Sequence, residues 1–151
     1  MALECVILAG LPASGKSTFY ARRFAGSHVH ISKDLWPKSA NKVSRQAREL
    51  DAALSAGRPV VIDNTNPTVA DRVALIEAAR RHGARVVGYF FTATTREAVG
   101  RNRGREGAAR VPDVAVFTTA KRMVVPQRSE GFDELYRVAI TSEGEFDVQP
   151  M

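Results

Sequence analysis

The sequence is poor in the features that mark several classes of protein. Its one cysteine, Cys5, allows no disulfide within the chain, which excludes a disulfide-stabilised scaffold and favours a reducing, cytoplasmic setting. The first apolar run is too short to span a membrane, and Glu4 interrupts the pattern that a signal peptide needs. There is no internal repeat, low-complexity tract or long linker. We therefore expect one globular domain over residues 1–151, without membrane attachment.

The charge of the chain is unbalanced towards basic residues. Twenty-two lysines and arginines stand against sixteen acidic residues, which gives a net charge of +6. A basic balance favours an anionic partner, such as a nucleotide, a nucleic acid or another phosphate ester, although it also serves solubility alone. The oligomeric state is not predictable from these features.

The most informative stretch follows the first apolar run, Cys5–Ala9. It fits the phosphate-binding pattern G-x-x-x-x-G-K-S/T between a buried strand and a helix. Backbone N–H groups of such a loop meet phosphate oxygens at the positive end of a helix. The lysine then bridges the outer phosphates, and the following hydroxyl lies on Mg²⁺. The predicted nucleotide-binding residues are Gly10, Pro12, Ala13, Ser14, Gly15, Lys16, Ser17 and Thr18.

Strand and helix patterns alternate along the rest of the chain. Five strands are predicted, at Glu4–Ala9, His28–Ile31, Pro59–Ile62, Arg85–Phe91 and Leu135–Ile140. The helix predicted over Lys42–Ala56 has Val43, Ala47, Leu50 and Leu54 on one face. This alternation is typical of an α/β fold with a parallel sheet covered by helices on both faces. Residues 141–151 are polar and are predicted to form a loose tail.

Ligands of such sheets bind beyond the carboxyl ends of the strands, where several polar segments of this chain meet. Asp34 follows the second strand, and a carboxylate there can take the proton of a hydroxyl that attacks a γ-phosphate. The neighbouring Lys33 would keep Asp34 ionised and could hold an acceptor phosphate. The alternative is that Asp34 caps a short helix through Leu35 and Trp36.

Two further groups on this edge of the sheet are open to two interpretations. Asp63 ends the third strand, where it could hold Mg²⁺ through water or orient Ser17; the alternative is an aspartate that caps a helix or stabilises a turn. His28 and His30 alternate along the second strand, which suits a metal site, but no third ligand is evident and two ordinary strand histidines are favoured.

Residues 101–112 carry four arginines and two glycines within ten positions, 101–110. A cation that closes over a transferring phosphoryl group stabilises its charge, so we interpret this segment as a lid. The alternative is a basic surface turn.

Taken together, these motifs resemble the kinase module of polynucleotide 5′-kinases, a family of P-loop kinases. The likeness covers roughly Val6 to Ile140 and consists of the P-loop, the segment H-V-H-I-S-K-D, the segment V-V-I-D-N-T-N-P and the lid R-N-R-G-R. It implies a three-layer, adenylate-kinase-like P-loop fold. It also implies transfer of the γ-phosphate of ATP, or another NTP, to the 5′-hydroxyl end of DNA or RNA, with Mg²⁺.

The resemblance assigns roles to individual residues. Asp34 would be the general base, and Lys16 and Arg105 would stabilise the transferring phosphate, with Arg105 also holding the nucleotide. Arg72 would contact nucleic acid. Some family members carry an arginine three residues after the catalytic aspartate; Pro37 stands there in this chain, and Lys38 is the candidate substitute.

Two other functions fit parts of the pattern. A small-molecule kinase for a sugar, nucleoside or antibiotic hydroxyl would keep Lys16, Asp34 and Arg105 but need an enclosed acceptor pocket. A non-enzymatic nucleotide-binding protein would need neither the aspartate nor the lid arginine. Aromatic residues for stacking single-stranded bases are scarce; Trp36 is the one well-placed candidate, and packing in a core is an equal alternative for it.

Overall fold

The computed structural model describes residues 3–151. The strands are β1 Glu4–Ala9, β2 Val29–Ile31, β3 Val60–Asp63, β4 Arg85–Phe91, β5 Glu134–Ile140 and β6 Phe146–Pro150. The helices are α1 Lys16–Arg23, α2 Lys42–Ser55, α3 Val69–Arg81, α4 Thr95–Arg103 and α5 Asp113–Arg122. Short 3₁₀ turns cover Lys33–Leu35, Gly107–Ala109 and Arg128–Glu130.

The strands form one sheet in the order β2-β3-β1-β4-β5-β6. The first five strands run parallel, as predicted, and β6 runs antiparallel to β5 at the edge. The parallel strands all end on the same edge, so the segments that follow β1, β2, β3 and β4 lie side by side.

The sheet is covered on both faces because its central strands are apolar over most of their length. In β1, Cys5 and Ile7 face the cluster that contains Leu50 and Leu54 of α2, together with residues of α3. Val6 and Leu8 face the opposite cluster, which contains Phe19 of α1. Burial raises the pKa of the Cys5 thiol to about 12, so this cysteine is an unreactive core residue.

The predicted loose tail is wrong for residues 146–150. Thr141 N donates to Glu145 O at 2.8 Å and closes a tight turn, after which β6 pairs along β5. The Phe146 ring then packs edge-on against Phe19 at 5.1 Å between centroids. Burial of this aromatic ring stabilises the strand even though most residues around Phe146 are polar.

The predicted apolar face of α2 is wrong in its first half. Val43 is 68% exposed, whereas the polar Gln46 is buried together with Leu50 and Leu54. The helix is therefore rotated so that a side-chain amide, and not a valine, faces the sheet near the carboxyl ends of its strands. Among residues 3–151, no helix is long and apolar enough to cross a membrane.

Candidate active site

The P-loop, which follows β1, packs so closely against neighbouring strands that two of its positions have no room for a side chain. At Gly10, a Cβ atom would lie 2.8 Å from Phe91 Cβ, so any side chain there would collide with the end of β4. Gly15 has a φ of 101° and precedes the first residue of α1, where its own Cβ would lie 2.9 Å from Ile140 Cδ1. The loop is thus wedged between the ends of β4 and β5, with the N–H groups of α1 at its centre.

Lys16 lies folded across this loop. Its Nζ donates to Leu11 O at 2.7 Å and to Gly10 O at 3.1 Å, and the side chain is almost fully buried. Burial lowers the pKa of Lys16 to about 8; the charge of Asp63 opposes this shift and the charge of Arg105 adds to it. A buried ammonium held by neutral carbonyls lacks a full countercharge, which a bound phosphate would supply.

The hydroxyl of Ser17 and the carboxylate of Asp63 form the second element of the site. Ser17 Oγ donates to Asp63 Oδ2 at 2.8 Å, which joins the first turn of α1 to the end of β3. His30 Nε2 lies 2.8 Å from the same oxygen. Asp63 is only 4% exposed, so these contacts replace most of its hydration.

This pair fits Mg²⁺ by the chemistry of its donor atoms. A hydroxyl and a carboxylate are hard oxygen ligands, and Mg²⁺ in nucleotide sites takes one or two such groups together with phosphates and waters. The described part of the chain contains no cluster of three metal-ligating side chains. His28 and His30 do not form a metal pair, since His28 Nε2 contacts Glu4 Oε1 at 2.6 Å while His30 contacts Asp63.

Asp34 lies in the 3₁₀ turn that follows β2. The cap of that turn is Ser32, whose hydroxyl accepts from Asp34 N at 3.3 Å, so Asp34 is not the capping residue. The carboxylate of Asp34 is exposed, and its charge acts on Lys16. The structure thus brings the predicted base to the edge of the sheet that carries the P-loop lysine.

A polar chain that the sequence did not reveal holds this turn in place. Lys33 N donates to Asn64 Oδ1 at 2.9 Å, and Asn64 Nδ2 donates to Gln46 Oε1 at 2.6 Å. Gln46 is buried on α2, so the helix, β3 and the Asp34 turn are linked. The sequence analysis missed Gln46 because it located the inward face of α2 from apolar residues alone, and a buried glutamine does not belong to such a pattern.

The acceptor side beyond Asp34 is open and basic. Leu35 is 52% exposed, and Lys38 is exposed as well. Trp36 is half-buried against the core, with the Arg45 guanidinium 4.8 Å from its ring centroid. Trp36 is thus tied to the fold and is not a free stacking platform.

The predicted lid begins inside a helix, because residues 101–103 belong to α4. Asn102 is fully buried, donates to Val111 O at 2.6 Å and accepts from Val111 N at 3.0 Å. These two hydrogen bonds join the ends of the loop that runs from residue 104 to residue 110. Arg105, within the loop, donates to Ala109 O at 3.1 Å, and its charge acts on Lys16.

Arg72 is not a surface residue, and its predicted contact with nucleic acid is wrong. It is fully buried and forms a two-bond ion pair with Glu130, at 2.7 Å from Nε and 3.1 Å from Nη2. Its Nη1 donates to Asn66 O at 2.9 Å. The guanidinium thereby supports the loop after β3, because Asn66 in turn donates to Leu8 O at 2.7 Å.

A small cleft opens beside the P-loop between the ends of β4 and β5. It has a volume of about 100 Å³ and is lined by Ser14, Thr92, Ala93, Glu97, Arg101, Val138, Ala139 and Ile140. Nη1 of Arg101 is buried and has no hydrogen-bond partner in the described structure. A larger groove of about 580 Å³ on the α4–α5 surface is lined by none of the predicted site residues.

Comparison with known proteins shows the family to which the chain belongs. A family model described as an AAA domain matches residues 5–126, well over half of the chain. The chain belongs to this AAA domain family. The AAA domain is of the P-loop, nucleotide-binding kind, and the site above contains its phosphate-binding loop.

Two curated relatives of this AAA domain carry similar names. One, from Acanthamoeba polyphaga mimivirus, is named a putative bifunctional polynucleotide phosphatase/kinase and is 33% identical over 143 residues, 89% of this chain. The other, from Schizosaccharomyces pombe, is named a bifunctional polynucleotide phosphatase/kinase and is 29% identical over 139 residues, also 89% of this chain. The chain spans about a third of the length of each, 33% in both cases.

A gluconokinase from Sinorhizobium meliloti has a similar structure, with a TM-score of 0.67 at 18% identity over 92% of this chain and 83% of that one. At this identity the likeness is one of fold. The predicted α/β P-loop kinase fold and the resemblance to polynucleotide kinases are confirmed. The names of these similar proteins differ in the acceptor, a polynucleotide in two and gluconate in the third.

Proposed function

We propose that this domain transfers the γ-phosphate of ATP, or of another NTP, to the 5′-hydroxyl end of DNA or RNA. The observation that carries the proposal is the position of Asp34. Its carboxylate is exposed, does not cap a helix, and lies in the turn after β2, on the same edge of the sheet as Lys16. The names of the two curated relatives support the choice of acceptor.

The nucleotide would lie with its phosphates in the P-loop, residues 10–18. Lys16 would leave its carbonyl partners for the outer phosphate oxygens, which offer a full negative charge. Ser17 and Asp63 would hold Mg²⁺, which when bound neutralises charge on the phosphates. The cleft beside Ser14, which Arg101 also lines, would lie against the bound nucleotide.

The transfer step requires one proton acceptor and several cations. Asp34 would take the proton of the 5′-hydroxyl as its oxygen bonds to the γ-phosphorus, and the bond from that phosphorus to the bridging oxygen would break to release ADP. Lys16 and Arg105 would stabilise the charge on the transferring oxygens. Lys33 and Lys38 would hold backbone phosphates of the acceptor.

The same chemistry would serve a small-molecule kinase, a candidate that the gluconokinase-like fold favours. The open surroundings of Asp34 and Leu35 favour the larger acceptor, since a small substrate is normally enclosed by its pocket.

A kinase that restores 5′-phosphates would act in nucleic acid repair, and the lone buried cysteine suits a cytoplasmic location. Residues 1–151 would act as one domain.

The experiment is transfer of labelled γ-phosphate from ATP and Mg²⁺ to a short oligonucleotide that carries a 5′-hydroxyl, with the same oligonucleotide already 5′-phosphorylated as control. We expect label on the first and none on the second. Binding of the 5′-hydroxyl oligonucleotide should weaken steeply with salt, because phosphate contacts release counterions. Label on neither oligonucleotide, or a flat salt response, would contradict the proposal.

A further inference from the structure

His30 makes a contact that the proposed transfer step leaves unexplained. Its Nε2 lies 2.8 Å from Asp63 Oδ2, the oxygen that also accepts from Ser17. Asp63 is 4% exposed, so a carboxylate at this depth depends on donors from the protein to hold its orientation. Both contacts end on Oδ2, so they act together on the orientation of this carboxylate.

The ring of His30 is itself fixed in direction. It stacks on the Tyr20 ring at 4.0 Å between centroids with 14° between the planes. The Tyr20 hydroxyl donates to His28 O at 2.9 Å, which anchors that ring in turn. Strand pairing sets His30 beside Val61, two residues before Asp63. Three elements therefore aim Nε2 at the carboxylate: α1 through Tyr20, β2 through the backbone, and β3 through Asp63.

We propose that His30 is a positioning residue for the metal–nucleotide complex, acting through Asp63. With a hydrogen on Nε2, it donates to Oδ2 and fixes the rotation of the carboxylate, which would hold the cation together with Ser17. Ser17 cannot do this alone, because its oxygen is shared with the metal in the proposed function. The inference rests on that function only through the role of Asp63 towards Mg²⁺.

The test measures nucleotide binding, not turnover. The dissociation constant of a fluorescent ATP analogue is determined with Mg²⁺ and with EDTA, and their ratio gives the coupling between cation and nucleotide. We expect His30→Ala to lower this ratio by about tenfold, the lower end of what loss of an outer-shell partner typically costs in metal affinity. Binding in EDTA should stay at the wild-type value, and His30→Gln, which offers an amide N–H, should recover most of the ratio.

His28→Ala is the matched control. It removes a histidine from the same segment that also contacts a carboxylate, Glu4, but at the far end of the sheet. Its ratio should equal that of the wild type. A wild-type ratio for His30→Ala, or an equal loss of affinity with and without Mg²⁺, would overturn the proposal, the second because it indicates general distortion.

Asp63→Asn separates failure of this inference from failure of its premise. If Asp63→Asn lowers the ratio and His30→Ala does not, His30 has no positioning role, whereas the proposed role of Asp63 stands. If neither variant changes the ratio, Asp63 does not act on the cation and both statements fall. Transfer to an oligonucleotide is measured separately and does not affect either result.

Discussion

The two sides of the site are built differently. On the nucleotide side, residues 10–18 and 63–66, four polar side chains are buried and bonded to the protein: Ser14, Lys16, Asp63 and Asn66. On the acceptor side, residues 32–38 and the lid loop 104–110, the charged side chains are exposed or half-exposed, and the fold holds the backbone instead.

This difference indicates how the domain divides its work. Phosphate recognition is the same for every NTP, so its geometry can be set in the core before the ligand arrives. The acceptor must enter, react and leave, and the groups that meet it lie on turns held only at their bases. Changes on the nucleotide side should therefore alter binding or stability, and changes on the acceptor side should alter turnover.

The largest effect on turnover is expected from Asp34→Asn. The amide keeps the size of the side chain but accepts no proton, and a general base typically contributes about 10²–10⁴-fold to rate. Acceptor-dependent transfer should fall by that factor while ATP affinity, measured by titration, stays unchanged. Asp147→Asn, an exposed aspartate on β6, is the control and should behave as wild type. Normal turnover of Asp34→Asn would show that another group takes the proton.

Arg72→Ala should have the largest effect on stability. It would leave Glu130, whose side chain is 7% exposed, buried without its cation, and breaking such a pair costs about 3–5 kcal/mol in free energy of unfolding. Chemical denaturation measures the loss. The double variant Arg72→Leu/Glu130→Leu should recover part of it, because no unpaired charge remains. A stable Arg72→Ala with weakened binding of nucleic acid would restore Arg72 as an acceptor contact.

Arg105→Ala should lower kcat by at least about tenfold with little change in ATP affinity, since arginines that close on a transferring phosphoryl group contribute about 10³–10⁵-fold in known systems. Arg110→Ala removes an exposed arginine from the same segment and should leave kcat unchanged. Equal kcat values for the two variants would assign Arg105 to the surface and would argue against a lid.

The smallest effect is a pH dependence that belongs to the nucleotide side. Because the pKa of Lys16 is lowered to about 8, the free protein loses this proton above pH 8, and ATP affinity should then fall by up to about tenfold per pH unit. The sign for stability is the opposite. The unfolded chain binds more protons between pH 8 and 10.5, so the contribution of Lys16 to the free energy of unfolding rises with pH across that window.

Titration of wild type and Lys16→Met tests both statements. The methionine variant should lack both pH dependences. An affinity of the wild type that stays constant above pH 8 would contradict the lowered pKa.

What the sequence predicted well was local or periodic. The apolar run of β1 and the glycines of the P-loop depend on neighbours within a few residues, and the structure has the strand and the loop where they were predicted. The parallel sheet followed from the alternation of strands and helices.

What the sequence did not predict depended on partners far along the chain. Arginine is a residue type that usually lies at the surface. Arg72 is buried because it pairs with Glu130, 58 positions away. Gln46 faces inward because Asn64 bonds to it. β6 exists because Phe146 reaches Phe19 across the sheet edge. The contact of His30 with Asp63 required the pairing of β2 with β3.

The most direct test of the proposed function is a competition for label in one sample. Limiting ATP labelled in its γ-phosphate is mixed with Mg²⁺, a 5′-hydroxyl oligonucleotide, and an equal concentration of gluconate, ribose and a nucleoside; the products are then separated by size. We predict label on the oligonucleotide. Label on a small product, with the oligonucleotide unmodified, would contradict the account and assign the acceptor side to a small-molecule kinase.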